Sequence, residues 1–266
     1  MVEAVPRLVR IAAIFLVAFV LVFVLGPLVI VAAVSFTAGD YVTFPPERLS
    51  LRWYTAVLSD DVYTQSALTS FRLAAAVTAL ATIIGTGIAI TLHRGRIPGT
   101  GVLSALVLSP LVLPTIVFAL GLLMLWSTYV GQTSFWSLCL GHTVIAVPYV
   151  IRTTLAVLST SDKFLEEAAR TMGAGPWRTL TYVVIPQGLP GIAAGAFFAF
   201  NISFDEAIVS LFLKSPGITT LPIQIYTQLE FSPDPSIAAA SALMIGMTIL
   251  LMFGIDRLLG IQRVAA

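Results

Sequence analysis

The sequence contains few charged residues. Only 10% of its 266 residues are Asp, Glu, Lys or Arg, whereas about 25% is usual in soluble domains. The hydrophobic fraction is 58%, and the mean hydropathy is +0.98. A chain this apolar and this long is excluded from the soluble class, so we place it in a lipid bilayer.

Cysteine is nearly absent, and two kinds of chemical motif are missing. Cys139 is alone, so no intramolecular disulfide can form and we expect a packed, unreactive thiol. His93 and His142 have no metal-ligating neighbours at useful spacing, so we expect structural roles and no metal site. The phosphate-binding pattern GxxxxGK[ST] does not occur, so any ATP would be handled by another chain.

The apolar residues are grouped into segments long enough to cross a bilayer, which requires roughly 20 residues. The segments predict six transmembrane helices in a single transmembrane domain over residues 1–266 of an all-α membrane protein. The first segment lacks a convincing cleavage site, so we expect it to be a retained helix. The predicted helices cover residues 11–34, 66–92, 101–126, 135–158, 188–213 and 237–259.

Basic residues are distributed unevenly between the two sides of this layout. On one side the connections contain only Arg48, Arg52 and Lys214. By the positive-inside rule the richer side is cytoplasmic, and that side includes both termini and the 161–187 connection. The basic residues on the richer side are Arg7, Arg10, Arg94, Arg96, Arg152, Lys163, Arg170, Arg178, Arg257 and Arg263.

The 161–187 connection is a polar insert whose pattern predicts a helix-turn-helix. Ser161 is suited to cap a helix over about 162–172, and Gly173 is suited to end it in a left-handed conformation. Pro176 is placed for the first turn of a second short helix, and Pro186 and Pro190 are expected to end the polar insert after it. Such an insert forms a compact protrusion that another protein can bind.

The insert resembles the EAA loop of permeases of ATP-binding-cassette (ABC) importers. That family's pattern is Glu-Ala-Ala, three residues, Gly, nine residues, then an aliphatic residue, any residue, an aliphatic residue and Pro. The resemblance implies the type I ABC importer permease fold, in which a cytoplasmic coupling segment (residues 161–187) docks on the ATPase. An ordinary amphipathic helix on the membrane surface would not explain the full spacing. The residues concerned are Glu166, Glu167, Ala168, Ala169, Gly173, Val183, Ile185 and Pro186.

Two adjacent carboxylates, Asp205 and Glu206, lie near the middle of the fifth predicted span. A charge at a helix centre costs about 2.5–3.5 kcal/mol on insertion scales, so each carboxylate needs compensation. Successive helical positions point about 100° apart. We therefore expect one carboxylate to line a water-filled path and the other to bond to a neighbouring helix. Phe200 and Phe204 are expected either to offer cation–π contacts there or to pack.

The acid pair refines the resemblance. The chain is similar to the spermidine/putrescine branch of ABC importer permeases, specifically the second of its two permease subunits. This implies a polyamine or another small cationic solute as cargo, and a bacterial inner membrane as location. The segments that carry the likeness are Leu51-Arg52-Trp53-Tyr54, Ser203-Phe204-Asp205-Glu206, Thr220-Leu221-Pro222-Ile223 and Ser232-Pro233-Asp234-Pro235.

The same resemblance implies the partners. These are ABC ATPase subunits that use ATP and Mg²⁺, a second and related permease chain, a periplasmic or extracellular solute-binding protein, and the lipid bilayer. This chain would bind no cofactor, contain no catalytic residue and contact no nucleic acid. The connections over 35–65 and 214–236 are expected either to dock the binding protein or only to cap the bundle.

Other functions are open at this point. The same branch of permeases also handles opines, iron(III), phosphonate-type and thiamine-like solutes. An intramembrane enzyme that uses Asp205 and Glu206 as an acid pair does not explain the coupling segment. A proton-coupled carrier does not explain it either, and six spans without an internal repeat argue against a carrier.

Overall fold

A computed structural model describes residues 7–95, 99–215 and 217–259. Regular structure in these ranges is helical, with a 3₁₀ turn at Ser109–Leu111, a π turn at Leu180–Val184 and isolated β-bridges. The helices are α1 (Arg7–Val34), α2 (Arg52–Ser59), α3 (Asp61–Arg94), α4 (Thr100–Leu108), α5 (Thr115–Tyr129), α6 (Phe135–Thr160), α7 (Lys163–Thr171), α8 (Pro176–Thr179), α9 (Ile185–Asp205), α10 (Ile208–Leu213), α11 (Leu221–Phe231) and α12 (Ser236–Leu259).

Five continuous helical runs are long and apolar enough to span a membrane, and one bent pair of helices makes a sixth when the pair is taken as a single span. The prediction of an all-α protein with six spans is therefore confirmed when the bent pair is counted once. The continuous runs are Leu8–Val34, Asp61–Arg94, Phe135–Thr160, Pro176–Asp205 and Ser236–Gly254.

The third span is not the straight helix that the sequence predicts over 101–126. It consists of Thr100–Leu111 and Thr115–Tyr129, which meet at an angle of 100°. Pro110 lies in the 3₁₀ turn, and Pro114 precedes α5 with an extended backbone. Proline removes a backbone N–H and its ring disfavours a helix through the preceding residues, so the helix bends here.

The fifth span also differs from the prediction. Pro186 does not end the second helix of the coupling segment, because the helical run continues from Pro176 to Asp205. The π turn at Leu180–Val184 lies immediately before Pro186. A wider turn relieves the clash that proline makes with the preceding carbonyl groups, so one continuous run connects the coupling segment to the membrane.

Contacts divide the chain into two compact units. One contains residues 1–64 and 225–246. In this unit α1 is almost wholly exposed, and the connection after it is closed by the pairing of Thr37 with Leu49. The Tyr63 hydroxyl lies 3.0 Å from the Ser236 hydroxyl, which fixes the start of α3 against the start of α12. The same connection after α1 contains the short helix α2, in which Val57 is buried.

The other unit contains residues 65–224 and 247–266. Its core is built around α6, which packs closely against α9 and α3. A Cβ atom at Gly195 of α9 would lie 2.8 Å from the Val150 Cα, and one at Gly85 of α3 would lie 2.7 Å from the Val150 Cβ. Only glycine permits both approaches. Cys139 is free and buried in this unit, as predicted.

Candidate functional site

The coupling segment begins with a locally capped helix. The N–H of Phe164 donates to the Asp162 carboxylate at 2.9 Å, so Asp162 is the N-cap of α7. The prediction that Ser161 caps this helix was therefore wrong by one residue. The Ser161 hydroxyl instead donates to the Leu158 carbonyl at the end of α6. Gly173 has a φ of 86°, which confirms the left-handed stop. Pro176 occupies the first turn of α8, as predicted.

Glu166 faces its own chain and not outward. Its carboxylate lies 3.7 Å from the Arg94 guanidinium and 3.5 Å from that of Arg170, and its side chain is only 18% exposed. The ion pair with Arg94 connects α7 to the end of α3. The sequence places Glu166 in the motif but gives no sign that it is bound internally.

Glu167 and Ala168 are exposed, whereas Ala169 is buried at 8%. Of the two alanines, only Ala168 is therefore available for close approach by another chain. Large apolar side chains surround this motif on the surface of the segment, and Pro186 is exposed as well. The exposed apolar residues are Phe164, Leu165, Met172, Trp177 and Tyr182.

Asp205 is the last residue of α9, so the acid pair lies at one end of this helix and not near its middle. After Asp205 the helix is interrupted at Glu206–Ala207, which we call the helix break, and α10 begins at Ile208. Asp205 is exposed, although the neighbouring Phe204 is buried. None of the ion pairs formed within the described residues includes Asp205.

Glu206 accounts for the local geometry. Its carboxylate accepts hydrogen bonds from the N–H groups of Ile208 at 2.8 Å and Val209 at 3.0 Å. It therefore satisfies two backbone donors that the start of a helix leaves free. The expected bond from one carboxylate to a neighbouring helix is wrong for Glu206, because this carboxylate binds the segment that directly follows it.

Phe200 and Phe204 pack against each other and against α3. The rings of Phe200 and Phe204 are stacked at 5.6 Å, and Phe71 meets Phe200 edge-on at 5.7 Å. Phe204 is 3% exposed, so within this chain its role is packing. Phe200 is only partly buried.

His142 joins the two sides of the helix break. Its Nδ1 lies 3.0 Å from the Ser203 hydroxyl of α9, and its Nε2 lies 3.1 Å from the Ser210 hydroxyl of α10. His142 is completely buried. No group of three or more His, Cys, Asp or Glu in the described ranges is placed to hold a metal ion.

Sequence reasoning assigned His142 a structural role but did not identify its partners. The available signal was a pair of serines, seven positions apart, on either side of the acid pair.

Two of the basic residues on which the predicted orientation rests, Arg96 and Arg263, lie outside the described residues. Positions 1–6 and 260–266 at the termini lie outside them as well.

The chain matches the family model described as "Binding-protein-dependent transport system inner membrane component" over residues 81–262. It is 28% identical over 226 residues to the spermidine/putrescine transport system permease protein PotC of Escherichia coli K12, covering 85% of each chain. It is 30% identical over 234 residues to the putrescine transport system permease protein PotI of the same strain, covering 84% of this chain and 82% of the relative.

The fold is also found in solved structures. A bacterial ABC transporter that imports the acidic polysaccharide alginate matches with a TM-score of 0.66 at 17% identity, covering 97% of this chain and 98% of the other. The family consists of transport components, so this chain is a multi-pass membrane permease and not an enzyme. Membership implies a binding protein and an ATPase as partners. The family model spans more than half of the chain, with the coupling segment and the helix break inside it, and the chain therefore belongs to the inner membrane components of binding-protein-dependent ABC importers.

Proposed function

We propose that this permease imports spermidine, putrescine or another small cation, and that Asp205 contributes to the selection of a cation. The observation that carries this proposal is an exposed carboxylate that has no ion pair among the described residues. An unpaired carboxylate attracts a cationic solute strongly where the dielectric constant is low. The named cargoes of the relatives PotC and PotI belong to this chemical class.

The coupling segment is proposed as the docking site for an ATPase that binds ATP and Mg²⁺. Trp177 and Tyr182 are 76% and 79% exposed, and Met172 is 83% exposed. Glu167, Lys163, Arg170 and Arg178 are exposed on the same segment, which therefore presents large apolar side chains together with charges of both signs. A surface of this kind is typical of an interface with another protein.

Two further assignments complete the proposal. The second half of the pathway comes from a different, related permease chain. Both termini and the coupling segment lie in the cytoplasm, because the connections on that side contain most of the Lys and Arg residues. The end of α9 that contains Asp205 then lies toward the outside, where a binding protein delivers the solute.

Uptake of radiolabelled putrescine by intact host cells tests the cargo. A strain that lacks this chain should lose energy-dependent uptake, and the wild-type chain should restore it. Equal uptake with and without the chain would overturn the polyamine assignment. Labelled iron(III) and an opine, measured in the same strains, would then test the other solutes of this branch.

Thiol labelling tests the orientation. Thr171 and Ser232 are exposed residues of α7 and of the connection between α11 and α12. With Cys139→Ala as background, Ser232→Cys should react with an impermeant reagent applied to intact cells, and Thr171→Cys should react only after lysis. Reaction of Thr171→Cys in intact cells would contradict the orientation.

A further inference from the structure

We propose that His142 is a positioning residue that holds the fifth span broken at the helix break and so fixes where Asp205 stands. The ring bonds to Ser203, three positions before the helix break begins at Glu206, and to Ser210, three positions after the break ends at Ala207. Neither serine is on the same helix as His142. The histidine thus holds two helices at once, from a third.

The two bonds discriminate between a broken and a straight helix. In an unbroken helix, positions 203 and 210 would lie on one face about 10 Å apart along the axis. One imidazole ring, with bonds of 3.0 and 3.1 Å on its two sides, does not reach across that distance. The pair of bonds therefore stabilises the broken form and is lost if the helix straightens.

The chemistry of the ring suits this position. A neutral imidazole has one N–H donor and one bare nitrogen acceptor, and a serine hydroxyl serves either of them. Both ring nitrogens are thus satisfied without water in a fully buried site. This matters because a buried polar group without a partner is costly.

Other contacts keep α10 beside α6. A Cβ atom at Gly141, next to His142, would lie 3.0 Å from the Val209 Cγ1 and 3.1 Å from the Leu213 Cδ1, so α10 packs directly on this glycine. The Thr133 hydroxyl donates to the Lys214 carbonyl at 2.9 Å at the far end of α10. With α10 fixed in this way, the bond to Ser203 is the one that sets the end of α9, and the end of α9 presents Asp205.

A distance measurement that does not depend on the solute tests the position of the break. Spin labels at Phe198→Cys and Lys214→Cys, in a Cys139→Ala background of the assembled transporter, report the distance across the break. We expect one narrow distribution with His142 present and a broadened or shifted one with His142→Ala. His142→Gln is the matched control, because its amide keeps one donor and one acceptor, and it should restore the narrow distribution.

Ser203→Ala gives a second test that keeps the ring and removes the bond that sets the end of α9. If His142→Ala fails to assemble, a broadened distribution with Ser203→Ala supports the proposal. Distributions that overlay the wild type for Ser203→Ala, or for an assembled His142→Ala, overturn it.

The consequence for transport rests on the proposed function. His142→Ala should raise the KM for putrescine by roughly tenfold, the effect of losing one or two ordinary hydrogen bonds, with a smaller change in the maximal rate. His142→Gln should recover the KM. If the transporter does not move putrescine but the label distances respond as expected, the cargo is wrong and the role of His142 stands. If putrescine is transported and the distances do not respond, the cargo stands and the role of His142 is wrong.

Discussion

Two of the chain's pairs of adjacent carboxylates lie at the proposed functional sites, and each of these two pairs has one member facing inward and one facing outward. In the coupling segment, Glu166 is bound to two arginines and Glu167 is exposed. At the helix break, Glu206 is bound to backbone N–H groups and Asp205 is exposed. The inward member of each pair binds groups of its own chain, and the outward member is free to interact with a partner protein or with the solute.

The two pairs differ in what holds the inward member. Glu166 is held by cations on a partly exposed surface, where an ion pair contributes about 0–1 kcal/mol. Glu206 is held by two backbone donors, and hydrogen bonds to a charged group contribute about 1.5–3 kcal/mol each. The comparison predicts that Glu206 affects folding and assembly, that Glu166 has a smaller effect through the connection of α3 to the coupling segment, and that the outward residues affect transport alone.

The largest effect is expected for Glu206→Ala. This change leaves the N–H groups of Ile208 and Val209 without their acceptor, so α10 should lose its defined start. We expect a loss of at least about 2 kcal/mol of stability and a low yield of assembled transporter. Thermal unfolding of the purified complex measures this loss. Glu206→Gln keeps one acceptor oxygen and should retain part of the stability. A wild-type melting temperature for Glu206→Ala would refute the inward role.

Glu167→Lys should have the next largest effect, on transport and not on stability. The side chain is exposed, so reversing its charge disturbs no contact within the chain. At an interface with the ATPase, the reversal should reduce putrescine uptake at least about tenfold. Membrane insertion and the melting temperature of the permease should stay unchanged. Arg257→Glu, an exposed charge reversal on α12 outside the coupling segment, serves as the control, and normal uptake with Glu167→Lys at wild-type expression would exclude Glu167 from coupling.

Much of the coupling segment could be predicted from the sequence because its structure is local. Gly173 and Pro176 impose their own backbone conformations, and the cap at Asp162 acts over two residues. The acid pair could not be placed in this way. The position of the break depends on His142, which is 61 residues from Ser203 and 68 from Ser210, and no local pattern contains that information.

The bend of the third span and the continuous fifth span show the same limit of prediction from the sequence. Proline marks the positions where a helix is under strain, but neighbouring structure decides the outcome. At Pro114 the helix bends by 100°, whereas at Pro186 a π turn allows it to continue. Both prolines are visible in the sequence, and their different effects are not.

Asp205→Asn should affect the solute and not the protein. The substitution keeps the shape and removes the charge, and no ion pair within the described residues is lost. The attraction between two unit charges 4 Å apart lies between about 1 kcal/mol in water and about 4 kcal/mol at an effective dielectric constant of 20, and about 1.4 kcal/mol corresponds to a tenfold change. Because Asp205 is exposed, we expect a value near the lower bound, so the KM for putrescine should rise about tenfold, with unchanged assembly and basal ATP hydrolysis. A loss of assembly would instead make Asp205 a structural residue, and an unchanged KM would remove it from the solute path.

The smallest effect is expected at the ion pair between Arg94 and Glu166, and it tests whether that pair connects α3 to the coupling segment. Each single reversal, Arg94→Glu or Glu166→Arg, replaces opposite charges 3.7 Å apart with a pair of like charges at the same two positions. Because both side chains are partly exposed, each should cost no more than about 1 kcal/mol and reduce uptake by at most roughly fivefold. The exchanged pair, with both reversals together, restores opposite charges and should recover part of the uptake.

The measurement is the amount of putrescine taken up per ATP hydrolysed. If the coupling segment is no longer held to α3, ATP hydrolysis should continue at its usual rate while less solute is transported. Arg170 also contacts Glu166, so Arg170→Gln in each background separates the two arginines. Additive losses in the exchanged pair would show that Arg94 and Glu166 act independently.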